Sequence, residues 1–459
     1  MPGDTKSTNG KRGSARSVSP RLVAAEIVRE VLEEGTLFDG ALSGHDGFLR
    51  LSVEDRRLAY HLTAGTIKYK RRLDCIARHF LQAKFDRLPQ SILAVLRVGL
   101  FQLSVSEKIP TYAAVDETVK IAQQLGHRGT ASLVNAVLRR FADDPEVVSF
   151  PSPTDQLEQY LAEWYSYPDW LIDIFIELGG KEGAEEFCRW GNGEPDFFLR
   201  INPTKTDQAG LMRAAREESI TLEPVSAVPG YYLWMGPAGP SSSSTILQRG
   251  LASVQNPAAG LVIKLLDPQP RERVMDLFAA PGGKSGAIAE RQGNTGRVLA
   301  IDISARRLTK VNQNKERLGL SSVMPICGDA LSLSVHRVDR ILADVPCSAL
   351  GTLPKNPDAR WRRSPSDIER LAEEQADYLK SAARHVGEGG VLVYATCTIT
   401  RQENQMVVDR FLKDNPDFIL ESAADFVSPG FVDARGFLVT LPPRWGLDCV
   451  FAARLRKVQ

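Results

Sequence analysis

The chain has 459 residues, room for about three domains at roughly 150 residues each. Its 43% hydrophobic and 25% charged residues exclude disordered and collagen-like classes, and no apolar run approaches the ~18 residues of a membrane span. A formal net charge of +1 gives no overall pull towards nucleic acid, so any such role has to rest on local clusters.

Residues 1–20, MPGDTKSTNGKRGSARSVSP, hold no apolar stretch of the kind a secretory signal needs. They are expected to form a flexible basic tail, and the protein is expected to be cytoplasmic. From 21 to 145 apolar residues recur at helical spacing. Leu58, Leu62 and Gly65 share one face, Ile92, Val95, Leu96, Gly99 and Leu103 a second, and Leu133, Ala136, Val137 and Phe141 a third. This pattern predicts an all-α domain whose centre is the helix around 98–105, apolar on nearly every side. Lys68, Lys70, Arg71 and Arg72 form a basic run within it, as do Arg139 with Arg140, and later Arg360, Arg362 and Arg363 around Trp361. Taken alone, such runs are more often solvated faces than binding sites.

Residues 146–270 are mixed. Pro151, Pro153, Pro168, Pro195 and Pro203 interrupt them, short strands are predicted at 197–201 and 231–234, and the Gly-, Pro- and Ser-rich stretch 236–244 predicts a loop. A small α/β linker domain preceded by helices is expected. From 271 to 459 short apolar strands alternate with helices. The runs 274–277, 298–301, 341–343 and 391–395 are too apolar to alternate, as in strands of a parallel sheet covered on both faces. A helix over 371–386 is expected to stop at Gly387, with Gly389 and Gly390 turning the chain into the next strand. The order of elements predicts a doubly wound, Rossmann-like α/β domain, closed by an antiparallel hairpin of GFLVTL and LDCVFAARL.

In such a sheet, ligands sit beyond the carboxyl ends of the strands. The first strand leads into DLFAAPGGKS at 276–285, where Ala279, Ala280, Gly282 and Gly283 keep side chains out of the way of a closely approaching cofactor. There is no GxGxxG, so a pyrophosphate cradle has little support. Asp302 follows the second strand, where a carboxylate accepts from ribose hydroxyls. Asp329 lies beyond a third predicted strand, where it could accept from the exocyclic amine of adenine. Together they predict a nucleoside cofactor; a nicotinamide remains open on fold alone, without its phosphate fingerprint.

Six cysteines are scattered without a CxxC pair or a histidine at ligand spacing, which disfavours zinc and a disulfide framework. No metal is expected. Two of them end neighbouring predicted strands, in Asp344-Val-Pro-Cys347 and Thr396-Cys397. Carbon 5 of cytosine is a poor nucleophile, but thiolate addition at carbon 6 makes it enamine-like, able to attack the methyl of a sulfonium. Asp344 stands where it could stabilise the ring nitrogen of that adduct. The plainer alternative is two buried apolar cysteines at strand ends.

AAPGGKS at 279–285, ADVPCSALGTLPKNPDARW at 343–361 and YATCTI at 394–399, with Glu403-Asn404 after it, resemble the RNA (cytosine-5) methyltransferases of the NOL1/NOP2/Sun group. The resemblance implies S-adenosylmethionine as cofactor, Cys397 as nucleophile and Cys347 as the cysteine that assists release of the methylated base. The cofactor-binding candidates are Phe278, Ala279, Ala280, Pro281, Gly282, Gly283 and Lys284, with Asp302, Asp329 and Asp344. Three positions depart from the pattern: Phe278 replaces a usual cysteine, Val345 a smaller residue or proline, and LDCVFAARL the commoner wording of the last strand.

DRRLAYHLTAGTIKYKRRLD at 55–74, LRVGLFQL at 96–103, TYAAVDETVKIA at 111–122 and VNAVLRR at 134–140 resemble the NusB-like RNA-binding domain fused to the Sun/Fmu type, the RsmB-like small-subunit rRNA methyltransferases. This implies a bacterial enzyme, expected to be monomeric, that acts on one cytosine of 16S rRNA. Lys68, Lys70, Arg71, Arg72 and Arg360 are the candidate RNA contacts. The competing readings are a tRNA cytosine-5 methyltransferase and a non-catalytic RNA-binding protein.

Overall fold

A computed structural model describes residues 19–106, 109–236, 239–240, 243–442 and 446–458. The basic tail expected at 1–20 lies almost wholly outside these residues, and the loop at 236–244 partly so. The chain divides into two compact units, Met1–Ser166 and Tyr167–Gln459.

The described residues of the first unit fold mainly as helices, principally Pro20–Glu33, Val53–Lys68, Lys70–Leu81, Gln90–Ser104, Thr111–Leu125 and Arg128–Asp143. Their starts are written in the sequence. Ser19 accepts from Leu22 N ahead of Pro20, Ser52 accepts from Asp55 N, and His127 with Thr130 closes a capping box. Gln90–Ser104 runs through the centre, buried at every residue from Ile92 to Gln102. Even Arg97 is enclosed there, donating to Asp74 at 2.7 Å and Glu33 at 2.8 Å. Gly65 lets Val53–Lys68 meet this helix closely, since a Cβ at that position would lie 2.0 Å from the Phe101 ring.

The basic run does not form one surface. Lys68 is only 5% exposed, which corrects its assignment as an RNA contact: a side chain so little exposed is not presented to a phosphate at the surface. Lys70 bonds Asp74 at 3.0 Å, and the Arg71 amide donates to Ser166 Oγ at 2.8 Å. The Arg72 guanidinium lies 3.8 Å from the Trp164 ring centre, where burial lowers its pKa. These three side chains are half-buried.

The second unit holds two sheets. Strands β1 (Phe198–Ile201), β2 (Thr221–Pro224), β3 (Tyr231–Met235) and β4 (Ala252–Val254) form an antiparallel sheet in the order β2-β3-β1-β4. Phe198, Val228 and Tyr231 share one hydrophobic core with Leu261, Val274, Val298 and Leu308, so the small sheet is packed into the larger domain. Buried Arg200 ties them further, donating to Glu290 at 2.8 Å and to the Gly283 carbonyl at 2.8 Å.

The larger sheet contains β5 (Arg273–Leu277), β6 (Arg297–Asp302), β7 (Val323–Cys327), β8 (Val338–Asp344), β9 (Val386–Thr396), β10 (Phe418–Glu421), β11 (Leu438–Thr440) and β12 (Val450–Lys457). Its order is β10-β12-β9-β8-β5-β6-β7, with β11 beside β12. Strands β5 to β9 pair in parallel, while β12 is antiparallel to β9, β10 and β11. The apolar runs are covered on both faces as expected: Val274, Met275, Ile341, Leu342, Leu392 and Val393 are all fully buried. The order reverses at β5, which has β6 on one side and β8 on the other, and ligands bind at such a switch point.

One boundary differs from expectation. The helix between β8 and β9 is Pro365–Ala383, started by a capping box of Ser364 and Asp367, and it ends before Gly387. Gly387, Gly389 and Gly390 lie inside β9, where the pairing with β8 shifts register. Gly389 has φ +67°, so the glycines carry an irregular strand rather than terminate a helix.

Candidate active site

The loop after β5 is shaped by backbone that few residues adopt. Phe278 has φ +62°, the Ala280–Pro281 bond is cis, and Gly282 has φ +99°. The Ala279 amide donates to the Ile301 carbonyl at 2.8 Å, and Gly282 turns back to Ala279 at 2.7 Å before the helix Gly283–Arg291 begins. Beneath the loop, Asp276 is buried and accepts from Ser285 Oγ at 2.5 Å. Burial pushes its carboxyl up to about 7.

Asp302 ends β6 directly beside this loop. Its Oδ1 accepts from Ser304 N at 2.9 Å and from Arg307 Nη2 at 2.8 Å, and its Oδ2 accepts only a long bond from Ala280 N at 3.3 Å. Oδ2 therefore retains acceptor capacity, the property a ribose diol requires. Asp329, beyond β7, is half-buried, with Oδ1 accepting from Leu331 N at 3.0 Å. Phe278 packs edge-on against Tyr378, ring centres 4.7 Å apart, so the ring that replaces the usual cysteine is held by the β8-to-β9 helix. These residues fit a nucleoside cofactor: small side chains and backbone on one side, carboxylates at the ends of neighbouring strands.

Strands β8 and β9 bring the cysteines together. Asp344 ends β8 opposite Ala395 of β9, and the two turns that follow place Cys347 Sγ 3.2 Å from Cys397 Sγ. Both cysteines are half-buried and free. The Cys347 thiol is held well above its ordinary pKa by its hydrogen bond to Cys397, by burial and by the charges of Cys397 and Glu403. Lys284, from the loop after β5, forms an ion pair with Asp344 at 2.5 Å. Burial opposes its charge, but Asp344 and the Cys397 sulfur outweigh this and keep it protonated.

The last strand supports the same region. A Cβ on Gly351 would lie 2.5 Å from Cys449 Cβ and 2.8 Å from the Cys397 carbonyl, so the turn after Cys347 is wedged between them. The Gly351 amide donates to that carbonyl at 3.0 Å, and the Cys449 amide donates to Gly351 O at 2.9 Å. The segment LDCVFAARL thus supplies a buried brace through the backbone of Cys449.

Arg360 is corrected as an RNA contact. It is fully buried, donating to Asn192 Oδ1 at 2.7 Å and the Gly191 carbonyl at 2.8 Å, with its guanidinium 4.0 Å from the Tyr167 ring centre. Arg363 is the member of that cluster that reaches the site, donating to the Cys347 carbonyl at 3.3 Å. Glu403 receives no role from the sequence pattern, yet it is fully buried behind the cysteine pair. Its position six residues after Cys397, in a segment otherwise polar and turn-like, is the signal that could have found it. Among the described residues, no group of three or more His, Cys, Asp and Glu is arranged to hold a metal.

A doubly wound sheet with a small-residue loop after its first strand, carboxylates after the next two and a pair of thiols in contact beyond defines a methyltransferase of the nucleoside-cofactor class. The chain matches the family described as 16S rRNA methyltransferase RsmB/F over residues 263–456, and the NusB family over 18–143. It is 35% identical to the probable ribosomal RNA small subunit methyltransferase B of Synechocystis, covering 96% of this chain and all of that protein. It is also 35% identical to the Bacillus subtilis protein of the same name, over 89% of this chain and 92% of that one. Its structure matches the crystal structure of PH0851 with a TM-score of 0.79 at 26% identity, covering 96% and 99% of the two chains. NSun6 from Pyrococcus horikoshii with SFG shares the fold at a TM-score of 0.59 and 22% identity, over 64% and 99%. The chain belongs to the RsmB/F methyltransferase family and is an S-adenosylmethionine-dependent RNA methyltransferase with a NusB-type helical domain.

Proposed function

We propose that this enzyme methylates carbon 5 of one cytosine in 16S rRNA through a transient bond between Cys397 and carbon 6 of the base. The observation that carries the reading is the pair of sulfur atoms 3.2 Å apart beyond adjacent parallel strands, with the Lys284–Asp344 ion pair close enough to feel the Cys397 sulfur. The names of the relatives support small-subunit ribosomal RNA as the substrate, and that substrate implies a cytoplasmic enzyme. No described helix is long and apolar enough to cross a membrane.

In this reading, Cys397 is the attacking sulfur, and Cys347 is the neighbouring thiol in contact with it. Its addition forms the S–C6 bond and shifts the ring electrons so that carbon 5 becomes the nucleophile. Asp344 holds the Lys284 ammonium in place, and that positive charge offsets the negative charge driven towards the ring nitrogen. S-adenosylmethionine, when bound, supplies an electrophilic methyl carbon. Water then takes the carbon 5 proton, the electrons of that C–H bond re-form the double bond between carbons 5 and 6, and the Cys397 sulfur departs as a thiolate, with Cys347 assisting that release. Asp302, Asp329 and the 278–284 loop would hold the cofactor.

Bisulfite mapping of rRNA and tRNA from cells with and without the protein tests the assignment. One 5-methylcytosine in 16S rRNA should disappear with the protein. Loss confined to tRNA, or methylation of another atom, would overturn it.

A further inference from the structure

We infer that Glu403 is a positioning residue for the cysteine pair, its enclosed carboxylate binding the turn that carries Cys347 to the turn that carries Cys397. Glu403 is fully buried. Its Oε1 accepts from Ser348 N at 2.8 Å and Gln375 Nε2 at 3.0 Å. Its Oε2 accepts from Ser348 Oγ at 2.6 Å, Thr400 Oγ1 at 2.8 Å and Thr398 Oγ1 at 3.2 Å.

The identity of those partners gives the inference its content. Ser348 follows Cys347 and Thr398 follows Cys397, and their hydroxyls also meet each other at 2.6 Å. Gln375 donates in addition to the Pro346 carbonyl at 2.9 Å, so Cys347 is held on both of its flanks. Tyr394 on β9 fixes the base of the network by donating to the Glu403 carbonyl at 2.6 Å. A buried carboxylate is tolerated only when its lone pairs are met by donors, and these donors come from both cysteine turns. Beside the backbone bonds from Gly351 N to the Cys397 carbonyl and from Cys397 N to the Cys347 sulfur, this carboxylate is the side chain that gathers both turns. The nearby Glu403 charge also helps hold the Cys347 thiol above its ordinary pKa.

This inference rests on Cys397 as nucleophile and Cys347 as its partner, and the experiment separates the two questions. Glu403→Gln keeps the shape and removes the charge, and the three hydroxyls can rotate to accept from the new amide. Two readouts are taken on the full-length enzyme. One is kcat and KM for methyl transfer to 16S rRNA. The other is the rate of iodoacetamide alkylation of Cys347 and Cys397 between pH 6 and 10, resolved by peptide mass spectrometry.

Glu403→Gln is expected to lower kcat by about 100-fold, the scale of a ~1 Å misplacement of reacting groups, with KM for RNA within about twofold. Its alkylation profile should shift in pH, with the two cysteines reacting at more similar rates than in the unaltered enzyme. An unchanged kcat or an unchanged alkylation profile overturns the inference. If Glu403→Gln does not fold, Ser348→Ala and Thr398→Val each remove one hydroxyl donor and should move both readouts in the same direction by smaller amounts. Methylation that survives Cys397→Ala would instead defeat the underlying mechanism, whatever Glu403 does.

Discussion

The backbone amide of Cys397 donates to the sulfur of Cys347 at 3.3 Å, so each cysteine is held by the other through backbone as well as side chain. A thiol that accepts such a bond and shares a proton with its neighbour has a defined partner before any substrate arrives.

The two thiols should therefore fail in opposite ways. Cys397→Ala should abolish methyl transfer and leave no covalent species, because carbon 5 is never activated. Cys347→Ala should still allow attack and methylation, but slow release should accumulate a protein–RNA adduct that survives denaturing electrophoresis. The assay uses cofactor and a 16S rRNA fragment; an adduct with Cys397→Ala and none with Cys347→Ala would exchange the two roles.

Asp302→Asn should weaken S-adenosylmethionine binding. Losing charge-assisted hydrogen bonds to the ribose costs roughly 1.5 to 3 kcal/mol, about tenfold or more in affinity. Because Oδ1 also holds Ser304 N and Arg307, a fall in thermal stability should accompany it. Calorimetric titration with affinity equal to that of the unaltered enzyme would remove Asp302 from the cofactor site.

Asp276 gives a pH dependence of stability with a determined sign. Its folded pKa, about 7, lies above the ordinary 3.8, so the buried acid is protonated when the unfolded chain is already ionised. The stability it contributes is complete below about pH 3.8 and is lost as pH rises to about 7. Asp276→Asn removes this dependence. Relative to the variant, the unaltered protein should lose on the order of a few kcal/mol between pH 4 and 7, and nothing more above it. Denaturant unfolding across that range that shows parallel stabilities would contradict it.

Lys70 and Arg71 should contribute to RNA affinity where Lys68 does not. Replacing both by alanine should reduce the slope of log affinity against log salt by roughly 0.7 to 0.9 for each phosphate that is no longer neutralised. Lys68→Met should leave that slope unchanged, since the side chain is enclosed. Equal slopes for all three proteins would move the RNA surface elsewhere on the helical unit.

How much of this is legible in the sequence depends on whether the cause lies nearby in the chain. The strands at β5, β6, β8 and β9 are readable because burial on both faces writes a continuous apolar run. The cysteine pair is readable because two parallel neighbours must end side by side. Arg360 reads wrongly as a surface cation because its partners, Gly191, Asn192 and Tyr167, lie more than 160 residues away. Lys68 misleads in the same way because a run of cations does not say which of them is buried. Glu403 shows no role in the sequence because its donors come from the turns after β8 and β9 and from the helix between them. Gly387 to Gly390 look like a helix stop because glycines end helices more often than they bend strands.

Strand β12 lies between β9 and β10, and Cys449 just before it braces the turn beside Cys397. A nascent chain still lacking residues 449–457 would therefore present β9 as an open edge, with the nucleophile on an unsupported turn. Domains form as units while the ribosome is still elongating the chain, and here the turn beside Cys397 gains its brace from Cys449 only when that segment has emerged. Closure of that side of the sheet thus waits on a segment made after both cysteines.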